Sequence, residues 1–219
     1  MPGYLVKHED IAVAGVADLH IRSLLDHQQY ADPAGECEAM GISSATWPLF
    51  GLLWPSGQVL AAVMARRAVT GERILELGCG LALASLVAHR RGADVTASDY
   101  HPLAGAFLAE NLRLNALLPM PYVRAGWQDA ACEALGRFDL IIGSDVLYER
   151  DEAGVLAAFI ERHTAPVAEV LIVDPDRGNR PGFTRHMQHM GFECSDSRAD
   201  GVRADGTPYK GRLLSYRRS

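Results

Sequence analysis

No two cysteines in this chain stand close together. Cys37, Cys79, Cys132 and Cys194 are scattered, with no C-x-x-C pair. That argues against a zinc cage or a disulfide framework and fits a reducing compartment. Long apolar runs are missing too: VLAAVMA, Val59 to Ala65, is among the longest and is far too short to span a bilayer. The opening MPGYLVKHED has no apolar signal core. Basic runs are absent, since Arg66-Arg67 and Arg90-Arg91 are only pairs and the formal net charge is −6. No broad cationic face is therefore available to neutralise phosphates. There is no internal repeat, no low-complexity tract and no linker dividing the core. The expectation is a soluble cytoplasmic protein with neither nucleic-acid nor membrane partner, with a monomer favoured. Its 219 residues suffice for one sizeable core.

What is there divides near residue 45. Residues 1–45 read as an extension. IAVAGVA and DLHIRSLL lean towards a β-hairpin, and a polar stretch follows that is partly helical around Glu36–Met40. Either a mobile extension or a lid over a site fits this composition. Residues 46–219 alternate regularly. PSGQVLAAVMARR reads as a helix capped by Ser56, RILELG as a strand, ALASLVAHRRG as a helix and ADVTASD as a strand. HPLAGAFLAENLRLNALL is a long helix with Pro102 near its first turn, and PYVRAG is a short strand. RFDLIIGSD and AEVLIVDPD are apolar strands around the helix EAGVLAAFIERH. A helix starting at Pro181 leads to two last strands, GFECSDSRA and GRLLSYRR, joined by the turn DGTPYKG. Strands apolar on both faces belong to a parallel sheet covered by helices on each side. The expected fold is thus α/β, a Rossmann-like doubly wound sheet of seven strands. It is mostly parallel, with an antiparallel C-terminal edge hairpin and the small N-terminal β/loop extension.

The stretch ILELGCGLALA, Ile74 to Ala84, marks the site. A strand ending at Gly78, a turn through Gly80 and a helix from Leu83 let the backbone approach a ligand beneath free N–H groups. Asp99, about twenty residues on, stands where a carboxylate meets a ribose diol, although it can also cap the helix that follows. A dinucleotide fingerprint needs a small residue where Leu83 stands, and a leucine there obstructs packing of helix on strand. Glu76, Gly78, Gly80 and Ala82 instead form E-x-G-x-G-x-A.

That pattern resembles motif I of the class I S-adenosylmethionine methyltransferases, with Ala82 replacing a common third glycine. TWPLFGLLWPSGQVLA, the D-x-x-Y pattern Asp145 to Tyr148 and IVDPDRGNRPGF narrow the likeness. Together they resemble the seven-β-strand lysine methyltransferases, most of all those of the electron-transfer flavoprotein β-subunit and their bacterial relatives. The resemblance covers about residues 45–195. It implies that Glu76, Gly78 and Gly80 hold the methionine end and ribose edge of S-adenosylmethionine, whose product is S-adenosylhomocysteine. Asp99 binds the ribose, Trp127 lies against the adenine or packs as a core ring, and Trp54 closes the pocket. Cys79 and Tyr100 flank the same positions, and Cys79 also reads as a small packed side chain. Ser144 lines the methyl-transfer end. Asp145 and Tyr148 face the acceptor as catalytic residues, with a turn cap and a packed ring as their plainer alternatives.

The implied acceptor is a lysine on a protein, or else a small nicotinamide-like amine. An NAD-dependent oxidoreductase is the more distant reading, and a fold that has lost its chemistry is another. No metal is expected, because His186 and His189 share a helix face without a third ligand.

Overall fold

The computed structural model describes residues 4–26, 31–129, 135–148, 154–199, 201 and 207–219. Cys132, the expected helix start at Glu152 and Ala153, and the first part of the 205–211 turn lie outside these residues.

Two strands open the chain, β1 (Val6–Ile11) and β2 (Leu19–Leu24), paired antiparallel as a separate small sheet. The short helix α1 (Glu36–Ala39) follows, then a 3-10 turn at Leu49–Gly51 and α2 (Pro55–Arg66). The alternating part is β3 (Arg73–Leu77), α3 (Leu83–Arg90), β4 (Asp94–Asp99), α4 (Ala104–Leu114), β5 (Tyr122–Arg124) and β6 (Phe138–Ser144). It continues as α5 (Val155–His163), β7 (Thr164–Asp174), α6 (Arg180–His189), β8 (Glu193–Arg198) and β9 (Arg212–Arg218). The seven-stranded sheet runs β5-β4-β3-β6-β7-β9-β8. β5, β4, β3, β6 and β7 are mutually parallel, and β9 pairs antiparallel with both β7 and β8. The order reverses between β3 and β6, so their carboxyl ends open a crevice at the topological switch point.

The double-sided apolar strands sort by parity, as a pleated sheet requires. Leu140 and Ile142 of β6, with Leu171 and Val173 of β7, face α2, α3 and α4. Ile141, Val170 and Ile172 face α5 and α6. The N-terminal hairpin joins the first layer, where Leu19, Ile21 and Leu24 are buried with Phe107. Its backbone is held by helix side chains: Arg22 N–H donates to Asn111 Oδ1 at 2.8 Å and His20 N–H to Asn115 Oδ1 at 3.0 Å. No helix among the described residues is long and apolar enough to cross a membrane.

Three local expectations change. The first strand is VKHEDI rather than the more apolar IAVAGVA, which forms its end and the turn at Gly15. Trp54 occupies the N-cap of α2 and Pro55 its first turn, while the Ser56 hydroxyl bonds Tyr209 at 2.8 Å. Pro102 precedes α4, whose N-cap is Leu103. The expected antiparallel hairpin does form the C-terminal edge, with β9 between β7 and β8 and β8 outermost.

Candidate active site

The turn after β3 passes three times through left-handed backbone, with φ of 53° at Gly78, 51° at Gly80 and 58° at Ala82. Glycine takes this region freely, whereas an alanine there is strained. Two bonds tie the turn to β4. Cys79 N–H donates to Ser98 O at 2.9 Å, and Gly80 N–H to Asp99 Oδ2 at 2.8 Å. The other Asp99 oxygen, Oδ1, accepts from His101 N–H at 2.8 Å. Burial raises the Asp99 carboxyl against the opposing pull of these bonds and one from Tyr100. The expected cap and the expected site residue are thus one carboxylate, which has lone pairs to spare beyond two bonds.

Glu76 is buried beneath the turn, 2% exposed. The N-cap of α3, Ala82, makes no side-chain capping bond. Glu76 supplies the capping acceptor from the adjoining strand: its Oε2 accepts from Ser85 N–H at 2.9 Å and from the Ser85 hydroxyl. An N3 amide and a carboxylate at a helix start are a favourable pairing. Burial nonetheless pushes the Glu76 carboxyl up to about 7, with the Asp99 charge adding to it. Cys79 is also buried, and burial raises its thiol.

The TWPLFGLLWP segment crosses this turn at Phe50, a residue to which no role was assigned from sequence. A Cβ built on Gly80 would lie 2.9 Å from the carbonyl oxygen of Phe50. The Phe50 ring stacks on His101 at 3.8 Å, and His101 Nε2 lies 3.3 Å from Cys37 Sγ. Burial holds the His101 imidazole down to about 4. Tyr100 reaches the same segment, donating its hydroxyl to Met40 O at 2.6 Å. Trp54 Nε1–H donates to Leu49 O at 2.8 Å. A Cβ on Gly57 would stand 3.6 Å from Ser144 Oγ, so the start of α2 lies against the end of β6. Apart from the Trp54–Leu49 bond, sequence separations of 30 to 87 hid these contacts. The cluster of aromatics in TWPLFGLLWP was the available signal.

Across the crevice, Asp145 also adopts a left-handed backbone, φ 55°, which an aspartate tolerates. Its N–H donates to Val173 O at 2.8 Å. Its carboxylate accepts a two-pronged bond from Arg177, Nε to Oδ1 at 2.7 Å and Nη2 to Oδ2 at 2.8 Å. Tyr148 is 50% exposed. Arg177 follows β7, in a turn built on buried Asp174. Asp174 Oδ1 accepts from Asp176 N–H at 2.8 Å and Arg177 N–H at 3.3 Å. Glu76, Gly78, Cys79, Gly80, Asp99 and Tyr100 therefore surround one turn, with Trp54, Ser144 and Asp145 at the neighbouring strand end. Trp127 packs on the second apolar layer, its carbonyl accepting from Arg162 at 3.1 Å, and a Cβ on the preceding Gly126 would stand 3.0 Å from the Tyr100 ring.

Comparison with known proteins gives the family. A family model described as lysine methyltransferase matches residues 48–190. The chain is 31% identical over 154 residues to the rat (Rattus norvegicus) electron transfer flavoprotein beta subunit lysine methyltransferase, a match covering 68% of this chain and 58% of that protein. It is 28% identical over 151 residues to a calmodulin-lysine N-methyltransferase of Arabidopsis thaliana, covering 64% and 50%. The chain thus spans little more than half the length of these curated relatives. Among solved structures, the T. thermophilus 16S rRNA N2 G1207 methyltransferase superposes with a TM-score of 0.65 at 17% identity, over 98% of this chain and 51% of that one, a likeness of fold. With its family model spanning the crevice from the start of α2 to the end of α6, the chain belongs to the lysine methyltransferase family.

Proposed function

We propose that the chain is an S-adenosylmethionine-dependent N-methyltransferase acting on a lysine side chain of a protein. The observation that carries this reading is the Gly80–Asp99 bond of 2.8 Å, which sets a carboxylate into a glycine turn at the switch point of a lysine methyltransferase fold. The residues present fit that cofactor better than a dinucleotide. Asp99 would suit the ribose of either cofactor, but Glu76 beneath the turn would repel a pyrophosphate once ionised. A cationic amino group and a neutral diol would be welcomed.

When bound, S-adenosylmethionine supplies a sulfonium methyl already activated for displacement. The chain itself supplies position. Asp99 would accept the ribose hydroxyls with the lone pairs left by Gly80 and His101. Glu76 would meet the amino group with the oxygen that Ser85 leaves. Gly78 and Gly80 bring backbone close to the ligand, Cys79 and Tyr100 border it, and Trp54 with the 31–54 segment covers the turn. Trp127 keeps its alternative readings, adenine neighbour or core ring. Asp145 would hold the acceptor ammonium, and Tyr148 would offer it an aromatic face. A lysine has an ordinary pKa of about 10.4, so it must release a proton to water before its lone pair attacks. A half-exposed Arg177 over Asp145, 44% against 12%, supports an acceptor that arrives at the surface, as a protein side chain does, more than an enclosed small amine. The free thiols of Cys37, Cys79 and Cys194 suit the reducing cytoplasmic setting that goes with this reading.

The test is calorimetric titration with S-adenosylhomocysteine and, separately, NAD. Wild type is compared with Asp99→Asn, which retains an acceptor oxygen for the turn. Micromolar binding of S-adenosylhomocysteine, weakened about tenfold or more in the variant, is expected. Tight NAD binding without it would restore the oxidoreductase reading. A labelled-methyl screen on host proteins and on small amines, with Asp145→Ala as control, then separates the two acceptor classes.

A further inference from the structure

We propose that Arg177 is a specificity-determining residue: its guanidinium occupies the Asp145 carboxylate where the acceptor cation must bind, so only a cation able to displace it is accepted. This rests on the reading of Asp145 as the acceptor carboxylate.

The geometry is that of an internal occupant. Both oxygens of Asp145 are taken, at 2.7 and 2.8 Å, by the planar fork of one side chain. That is the way a guanidinium matches a carboxylate best. Asp145 is nearly covered, its side chain 12% exposed, while the arginine above it is 44% exposed. The cation is therefore the part that faces arriving molecules. Its presentation is built into the chain. Asp174 Oδ1 grips the N–H groups of Asp176 and Arg177, turning the chain so that residue 177 projects over residue 145. Asn179 Nδ2 donates to Leu147 O at 2.9 Å, fastening the far end of the same turn to the D-x-x-Y loop. The two loops are thus tied to each other, and withdrawing the guanidinium from the carboxylate breaks none of these bonds. A neutral acceptor offers Asp145 nothing in exchange. An alkylammonium offers a charge and donors of its own. Arg177 also withholds the carboxylate from solvent cations until a cation held by other contacts arrives.

The probe is n-butylammonium chloride, a lysine side chain without its backbone, titrated by NMR at constant ionic strength, with and without S-adenosylhomocysteine. Wild type, Arg177→Ala, Arg177→Gln and the double variant Arg177→Ala/Asp145→Asn are compared, after matched thermal unfolding midpoints establish folding. Freeing the carboxylate is expected to tighten n-butylammonium binding about three- to tenfold in both single variants. The gain should vanish in the double variant, and neutral n-pentanol should show none of it. Equal affinity in wild type and Arg177→Ala, including no measurable binding by either, overturns the proposal. So does a gain that survives in the double variant. Binding of S-adenosylhomocysteine in the same samples reports on the methyltransferase reading separately. Its loss would sink that reading whatever the cation does, and its presence beside unchanged cation affinities would sink only the role of Arg177.

Discussion

Asp99 and Asp145 stand at the ends of parallel strands on the two sides of one crevice, and both have two occupied oxygens. The partners differ. Asp99 accepts from the backbone N–H groups of Gly80 and His101, whereas Asp145 accepts from a single, half-exposed guanidinium. Backbone partners cannot leave without dismantling the turn, while a side chain on a surface ion pair leaves at little cost. The first side is therefore a preformed cradle, and the second a position already occupied by something replaceable. A cofactor that must be aligned and an acceptor that must be exchanged call for these two designs.

The largest expected effect lies beneath the cradle. Glu76 is raised from 4.5 to about 7, so between those pH values the folded protein keeps a proton that the unfolded chain has released. Stability should fall as pH rises across that interval, by an amount on the order of 3 kcal/mol, and stay lower above it. Urea unfolding of wild type against Glu76→Gln from pH 4 to 8 checks this, with the variant's profile flatter. The same titration should make S-adenosylhomocysteine bind more tightly as pH rises through about 7 in wild type and not in the variant. A wild-type profile as flat as the variant's would mean that the cradle does not bury a protonated carboxyl.

Next comes Gly80→Ala. It combines left-handed strain with a Cβ placed 2.9 Å from the Phe50 carbonyl. A loss of about 2–3 kcal/mol is expected, together with loss of ligand binding. Ala82→Gly should act in the opposite sense. Relief of strain at φ 58° is partly offset by the freer unfolded chain, leaving a gain of up to about 1 kcal/mol in stability, read as a raised thermal midpoint. The smallest effect belongs to the other side. Arg177→Ala removes a pair whose arginine is 44% exposed, and should change stability by about 0.5 kcal/mol or less. A loss several times larger would erase the contrast between the two carboxylates.

The parts of the molecule that could be read from its residues are those whose cause is local. β6 and β7 announce themselves because Leu140 to Ile142 and Val170 to Val173 are apolar on both faces, as only a covered strand can be. The glycine turn and Asp99 are legible because spacing along a βαβ unit is nearly fixed. β1 escapes a reading by composition because VKHEDI holds four consecutive polar residues between Val6 and Ile11, in a small sheet with one wet face, while IAVAGVA looks more strand-like. Ser56 was taken for a cap because the residue type favours it, yet Tyr209, 153 positions away, claims its hydroxyl. The same distance problem hid Arg177 on Asp145, 32 residues apart, and Phe50 on His101. Glu76 lay within reach of local reasoning. A strand-end carboxylate nine residues before a serine at N3 is a helix cap as well as a ligand contact.

The inner position of β9 dictates an order of assembly. β8 is synthesised first, yet its ladder partner is β9, and β9 also closes the flank of β7 from Ala168 to Asp174. On the ribosome, β7 must wait with one edge bare, and β8 must wait without any strand to join, until residues 212–218 have emerged. A bare, apolar strand edge is the feature that chaperones shield and that aggregates recruit. Chains held on the ribosome with residues 212–218 still inside the exit tunnel should therefore be captured by holdases more often than chains tethered by a linker long enough to expose those residues.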